Sequence, residues 1–333
     1  MMPRYRSPLG VVKAGYLLGV FLLLLLVFLA TPAMAQGLPA YAPINPFAAS
    51  RSPLSFEPFR PYRPGRWAAT LDLSYASTIE SNSLPAATLL LDSELLRFRV
   101  GLSRDLGPRS FVLADAEILG AYSGFLDGFL EWYHGLLGID VPERDRRPRD
   151  EFGYTVDLPG GPDLDRRPGD AFLGDVRLGL GLRPHRAIQS VLVVTLPTST
   201  GPAGYGRGVP TVGVLNTVHL PVSDRLVWEG SLSAGYSPTH GALDEVQREL
   251  MLAASSGLRL RLFGRQSVYG NLFYHSPYYR GTPLPSLDRR EVSFDFGWIV
   301  GVGKWSEWRI GMTEDPEPSG PAVDLVFQVG GRL

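Results

Sequence analysis

Few residues in this chain of 333 combine the types and spacings that chemistry needs. Asp127, Glu131 and His134 recur at i, i+4 and i+7. That spacing puts two carboxylates and an imidazole on one helical face, a donor set that suits a divalent cation. The polar stripe of an amphipathic helix has the same spacing. His275 and Ser276 lie among Phe273, Tyr274, Tyr278 and Tyr279, and a serine–histidine pair at a lipid interface is what a phospholipase needs. Adjacent residues of a strand point to opposite faces, so Ser276 cannot use its own neighbour as base. His185 and His240 fall in turns and loops, and His219 precedes Leu220-Pro221. The chain has no P-loop, no Gly-x-Ser-x-Gly and no His-Glu-x-x-His. It has no cysteine, which removes disulfide frameworks, thiol catalysis and Cys-ligated metals together. We therefore assign no catalytic residue, no metal ligand and no cofactor.

The charged residues that remain are arranged in rows. Asp72, Arg97, Arg99, Asp115, Glu117, Asp175, Arg177, Glu229, Arg259, Arg261, Asp295 and Arg309 each alternate with apolar residues. Trp67, Ala69, Leu71, Leu73 and Tyr75 oppose Asp72 and its neighbours. Leu96, Phe98, Val100 and Leu102 oppose Arg97 and Arg99, and Leu178, Leu180 and Leu182 oppose Asp175 and Arg177. Period two with aromatic ends and aliphatic middles is what a bilayer-spanning strand requires. A charge facing lipid at mid-depth would cost ~2–4 kcal/mol, so the charged face must look inward.

Twelve such segments are readable between Arg66 and Leu333. Short turns at 105–109, 184–187, 221–224, 264–266 and 304–306 alternate with longer loops at 78–87, 121–170, 197–208, 238–246, 277–288 and 313–320. That alternation is the periplasmic and extracellular asymmetry of an outer-membrane barrel. The expected fold is an all-β, transmembrane antiparallel β-barrel of about twelve strands. In lipid every backbone donor and acceptor must be paired, and a closed sheet does this without edges. The net charge of −1 offers no polycation for nucleic acid.

Arg4, Arg6 and Lys13 precede an apolar run at 14–30, and Thr31-Pro32-Ala33-Met34-Ala35 follows it. This predicts a signal peptide over 1–35, cleaved after Ala35. Residues 36–65 are rich in proline, which removes backbone donors, so they are expected to be extended but unpaired. We read them as a periplasmic lead-in, with tucking into the barrel mouth as the alternative. The barrel then occupies 66–333.

Loop 121–170 departs from barrel grammar. Apolar residues at 125, 126, 129, 130, 133, 136 and 137 have helical spacing, which predicts one short amphipathic helix over 124–138. It would fold into the mouth or lie on the outer leaflet. Phe125, Asp127, Phe129, Glu131 and His134 are its candidate gate or plug residues. The run Ser123-Gly124-Phe125-Leu126-Asp127-Gly128-Phe129-Leu130-Glu131, with His134 and Arg147-Pro148-Arg149-Asp150-Glu151-Phe152, resembles the uncharacterised bacterial family called domain of unknown function 3187. Arg51-Ser52-Pro53-Leu54, Gly174-Asp175-Val176-Arg177-Leu178-Gly179 and Thr313-Glu314-Asp315 also resemble its pattern. The resemblance implies an outer-membrane barrel and names no activity. The expected function is passage of a small molecule across the outer membrane of a Gram-negative bacterium, with the inward charges lining the path and helix 124–138 as gate. A lipid-modifying enzyme and a closed structural or surface-binding barrel are the alternatives. The expected partners are outer-membrane lipid, lipopolysaccharide and the barrel-assembly machinery. Substrate and oligomeric state are not readable.

Overall fold

A computed structural model describes residues 37–138, 144, 147–160, 164–302, 306–316 and 324–333. The expected signal peptide and its cleavage site after Ala35 lie outside them. Among the described residues, fifteen strands form one sheet. Twelve of them close the antiparallel barrel: β1 Trp67–Leu84, β2 Ala87–Gly107, β3 Ser110–Tyr122, β7 Val176–His185, β8 Ile188–Leu196, β9 Thr211–Pro221, β10 Leu226–Tyr236, β11 Leu250–Arg261, β12 Gln266–His275, β13 Glu291–Gly301, β14 Glu307–Glu314 and β15 Leu325–Arg332. β15 returns to β1 in the register Leu73↔Val329. Leu333 N–H donates to the Ala69 carbonyl at 2.9 Å, which completes the closure.

The two faces divide as their periodicity requires. Leu178, Leu180 and Leu182 point outward and are 44, 45 and 52% exposed. In water these exposures would be unfavourable; in hydrocarbon they are what the wall needs. The intervening positions point into the lumen.

Loop 78–87, expected as irregular, is regular strand. β1 and β2 pair without interruption up to Leu84↔Ala87 and turn on two residues. At 18 and 21 residues they exceed the ~9–11 a membrane strand needs, so the hairpin rises above the wall. Its upper edges would be unpaired. The connection from β3 to β7 adds three short strands above the wall, one of which covers the β2 edge: β4 Gly153–Asp157, β5 Leu164–Arg166 and β6 Gly169–Leu173. β4 adds to the top of β2, β5 to β4, and β6 to the top of β3. Among the described residues, two helices exceed one turn: α1 Pro46–Arg51 and α2 Asp127–Leu137.

The core lies inside the barrel, and the N-terminal segment supplies much of it. Leu38, Tyr41, Ile44, Phe47, Leu54 and Phe56 are buried there. Residues 37–59 thus pack inside the barrel. The physical reason is their aromatic content: burying each large side chain is worth about 1.5–3 kcal/mol, which a solvated extended segment forgoes.

Candidate functional site

The N-terminal segment makes a round trip through the lumen. Leu38 N–H donates to Glu229 at 2.9 Å, near the periplasmic end of β10. The chain then rises to α1, where the Asn45 side chain caps the helix and also reaches Glu291 at 3.1 Å, at the extracellular end of β13. Pro46 sits in the first turn, where its missing donor costs nothing. Arg51 donates to the carbonyls of Ser237, Pro238 and Arg248 in the loop above β10 and β11. The chain turns there and descends. Ser52 Oγ lies 2.7 Å from His275 Nε2, and Arg60 N–H donates to Gln189 at 2.9 Å near the lower end of β8. Arg63 N–H meets Asp105 at 2.6 Å. The two legs bond to each other: Tyr41 N–H to the Phe56 carbonyl at 3.1 Å, and Phe56 N–H to the Tyr41 carbonyl at 2.7 Å.

A proline-rich hairpin leaves carbonyls without sheet partners, and the wall supplies the donors. Arg97 donates to the carbonyls of Ala42 and Pro43 at 3.0 and 2.9 Å. Arg259 donates to Gly37 at 2.9 Å, Arg183 to Arg60 at 2.6 Å, and Gln189 to Pro58 at 3.1 Å. The Thr217 hydroxyl takes the Glu57 carbonyl at 2.5 Å. The Glu57 side chain pairs with Arg177, and with Arg60 at 3.1 Å.

The expected lumen residues all fall on the inner face, in two uses. Arg97, Arg177, Glu229 and Arg259 bind the hairpin as just described. The others pair mainly with the wall. Arg309 pairs with Asp72 and lies 3.8 Å from Asp295. Asp115 receives Arg177 at 3.0 Å and Arg99 at 3.6 Å. Asp175 receives Arg207 at 3.2 Å, and Glu117 lines the same space beside Arg97. Arg261 holds the lower end of the inner face of β11. The lining is therefore filled rather than open.

Among the described residues, three cavities line up between the hairpin and the wall, each touching β2. The upper one, about 70 Å³, is bounded by Arg97, Glu117, Asp175 and Arg207. The middle one, about 60 Å³, is bounded by Glu57, Asp72, Glu307 and Arg309. The lower one, about 30 Å³, is bounded by Arg63, Asp105 and Arg183. Arg99 and Asp115 are shared by the upper two, and Arg60 and Arg332 by the lower two.

Helix α2 is elsewhere. It docks on the outside of the barrel, so its expected role as a lumenal gate is corrected. Leu126 and Leu130 pack against Leu325, Tyr75, Met312 and Phe327. Phe125 stacks on Tyr75 at 5.2 Å, and Phe129 meets Phe327 edge-on at 5.6 Å. Gly124 (φ +81°) makes the entry turn that lets the Phe125 and Leu126 N–H groups donate to Glu94. A Cβ there would collide with that carboxylate. Asp127 pairs with Arg144, which also reaches Asp324, and His134 lies 3.7 Å from Asp324. Asp324 thus serves the helix. Glu131 forms a two-pronged pair with Arg149 whose hydrogen bonds hold its carboxyl below the usual range. Tyr133 donates to Glu314 at 2.6 Å, which pushes the phenol up to about 12. Asp127, Glu131 and His134 each have protein partners, and no metal-binding cluster occurs among the described residues.

The Gly-Phe-Leu-Asp-Gly-Phe run is thereby explained as a wall-docking device. Residues 34–194 match the family model described as protein of unknown function DUF3187. The DUF3187 match covers the lumenal hairpin, β1 to β3, the long loop and the first strands after it; Thr313-Glu314-Asp315 lies beyond it. No curated protein sequence matches the chain. In fold the chain is similar to the COG4313 outer membrane channel from Pseudomonas putida F1, at 11% identity, covering 91% of this chain and 98% of that one with a TM-score of 0.51. It also aligns with the NanC porin (6% identity, 79% and 98% covered, TM-score 0.45) and the Pseudomonas putida toluene transporter TodX (11%, 90% and 98%, TM-score 0.39).

Sequence reasoning missed Asn45, Arg51, Ser52, Glu57 and Arg60, which tie the hairpin to the wall. The available signal was Tyr41, Phe47, Phe56, Phe59 and Tyr62, too aromatic for a solvated linker.

Proposed function

We propose that this protein is an outer-membrane channel for small polar molecules, occluded at rest by residues 37–64. The observation that carries this reading is the run of three cavities joined by shared residues, from Arg207 near the extracellular end to Arg63 near the periplasmic end. The route passes beside the hairpin, not through the loop above it. The fold likeness to an outer-membrane channel agrees with this. In this reading the chain is exported by cleavage after Ala35, inserted by the barrel-assembly machinery, and sits among outer-membrane lipid and lipopolysaccharide in a Gram-negative cell.

The lipid-hydrolase alternative has one contact in its favour, Ser52 against His275. Both are buried within the barrel rather than at the lipid surface, and Ser52 Oγ also accepts the Leu54 N–H at 3.0 Å. That geometry fastens the descending leg.

The test is planar-bilayer conductance of the full chain against a chain lacking residues 37–64, each checked for folding by heat-modifiable gel mobility. The intact chain should give small or rare steps and the deletion large, steady ones. Two folded barrels that are equally silent would end the channel reading. If the deletion does not fold, Glu57→Gln loosens the hairpin while keeping its length, and should raise the open fraction.

A further inference from the structure

The periplasmic end of the lumen carries more positive charge than its pairing uses. Arg60, Arg66, Arg104, Arg183 and Arg332 line the lower cavity with one carboxylate, Asp105. Asp105 is already committed to Arg183 and to the Arg63 backbone. Arg60 is met from above by Glu57 at 3.1 Å. Arg332 is different. It is 8% exposed, and among the described residues it makes no hydrogen bond and no ion pair. Its cross-strand neighbour Glu307 turns to Arg259 instead, at 3.0 Å. The Arg332 guanidinium opens onto both the lower and the middle cavity.

In so small a space a guanidinium without a protein acceptor favours an anion beside it. Strand register explains its position: Arg332 follows Gln328 and Gly330 on the inward row of β15, level with Thr70 of β1. Glu307 and Glu229 attract Arg332 only through space, without an ion pair. Arginine offers a planar fork of donors that matches a carboxylate or phosphate edge. The cavity of about 30 Å³ has room for about two waters, hence for one small anionic group.

We propose that this lower cavity binds a small oxyanion, with Arg332 as its principal donor and Arg60 and Arg183 flanking it. Resting on the channel reading, the site would stand at the periplasmic end of the route and give it a preference for anionic solutes. Carboxylate and inorganic phosphate share the chemistry.

The probe is inorganic phosphate added to the full chain folded in a nonionic, phosphate-free detergent, read by phosphorus NMR line width at constant ionic strength. Saturable broadening is expected, with acetate competing if carboxylates share the site. Arg332→Gln should weaken it about tenfold, the size of one charge-assisted hydrogen bond. Arg149→Gln, at an exposed arginine on the outer loop, should leave it unchanged. Because Arg332 has no partner to lose, Arg332→Gln should keep or raise the unfolding temperature. Should it fail to fold, Arg332→Lys keeps the charge, removes the fork and should still weaken binding. No saturable broadening, or equal broadening in wild type and the Arg332 variant, overturns the proposal. Either result leaves the conductance test independent: a conducting barrel without phosphate binding loses this site alone, and a binding barrel without conductance loses the channel.

Discussion

Residues 37–64 and helix α2 exchange the places their sequences suggest. The proline-rich segment fills the lumen, and the amphipathic helix lies against the outer wall. Backbone chemistry accounts for the exchange. A helix satisfies its own N–H and C=O groups, so its apolar side chains decide its position, and lipid or an apolar wall receives them equally well. Trp132 and Leu136 are 61 and 69% exposed on the outside, level with the aromatic and aliphatic belt. A proline-rich hairpin has bare carbonyls, and only an environment rich in donors can take it out of water. The lumen provides that environment through Arg97, Arg183, Arg207 and Arg259, each of which donates to a hairpin carbonyl. Several inward charges are thus structural acceptors and donors for an internal segment.

The strongest way to break this comparison is to remove an anchor of the hairpin. Glu57→Ala leaves Arg177 and Arg60 facing each other without their shared carboxylate. Breaking a buried pair this way costs about 3 kcal/mol. The heat-modifiability transition should fall by several degrees and conductance should rise. An unchanged transition together with unchanged conductance would mean that the hairpin does not occupy the lumen in the membrane.

The barrel was legible because period two, repeated over many strands, admits one answer: charges on one face exclude lipid there. The strand count and the alternation of short turns with long loops were readable for the same reason. The hairpin's place was not. Its prolines announce an extended chain, but nothing local says whether water or a barrel surrounds it; the deciding contacts, such as Leu38 with Glu229 and Arg51 with Ser237, join residues more than 180 positions apart. The helix at 127–137 was legible as a helix, and its two possible destinations were both visible. Choosing between them needed Leu325, Phe327 and Tyr75, which only the closed barrel brings side by side. The top of β1 and β2 was hidden for a simpler reason: polar residues such as Glu80, Ser81 and Asn82 look like loop until they are seen to pair with Leu91, Leu90 and Leu89 across the hairpin, whose β2 edge then takes β4.

A smaller effect sharpens the contrast from the helix side. Replacing Phe129 and Trp132 together by Gln removes apolar surface that faces Phe327 and the bilayer. Membrane insertion should weaken, and Trp132 fluorescence in the wild type should be quenched by lipids brominated along their chains. Conductance should stay as it was. A change in conductance comparable to that of Glu57→Ala would move α2 back to the gate and undo the assignment of roles.

The smallest effect concerns pH. The Arg149 hydrogen bonds hold the Glu131 carboxyl below its ordinary value, so folding is favoured by the ionised form. That stabilisation is fully present above the unfolded value of about 4.3 and is lost as pH falls through the lower folded value. Arg149 is 63% exposed, so salt screens the pair and the contribution is slight. Acidification below about pH 4 should therefore loosen α2 in the wild type, read as faster hydrogen exchange over 127–137, and 0.5 M salt should reduce the difference. Glu131→Gln should exchange fast at every pH. If exchange in the wild type is flat across this range, Leu126 and Leu130 against Leu325 hold the helix without help from the charge pair, and docking on the wall is a matter of apolar contact alone.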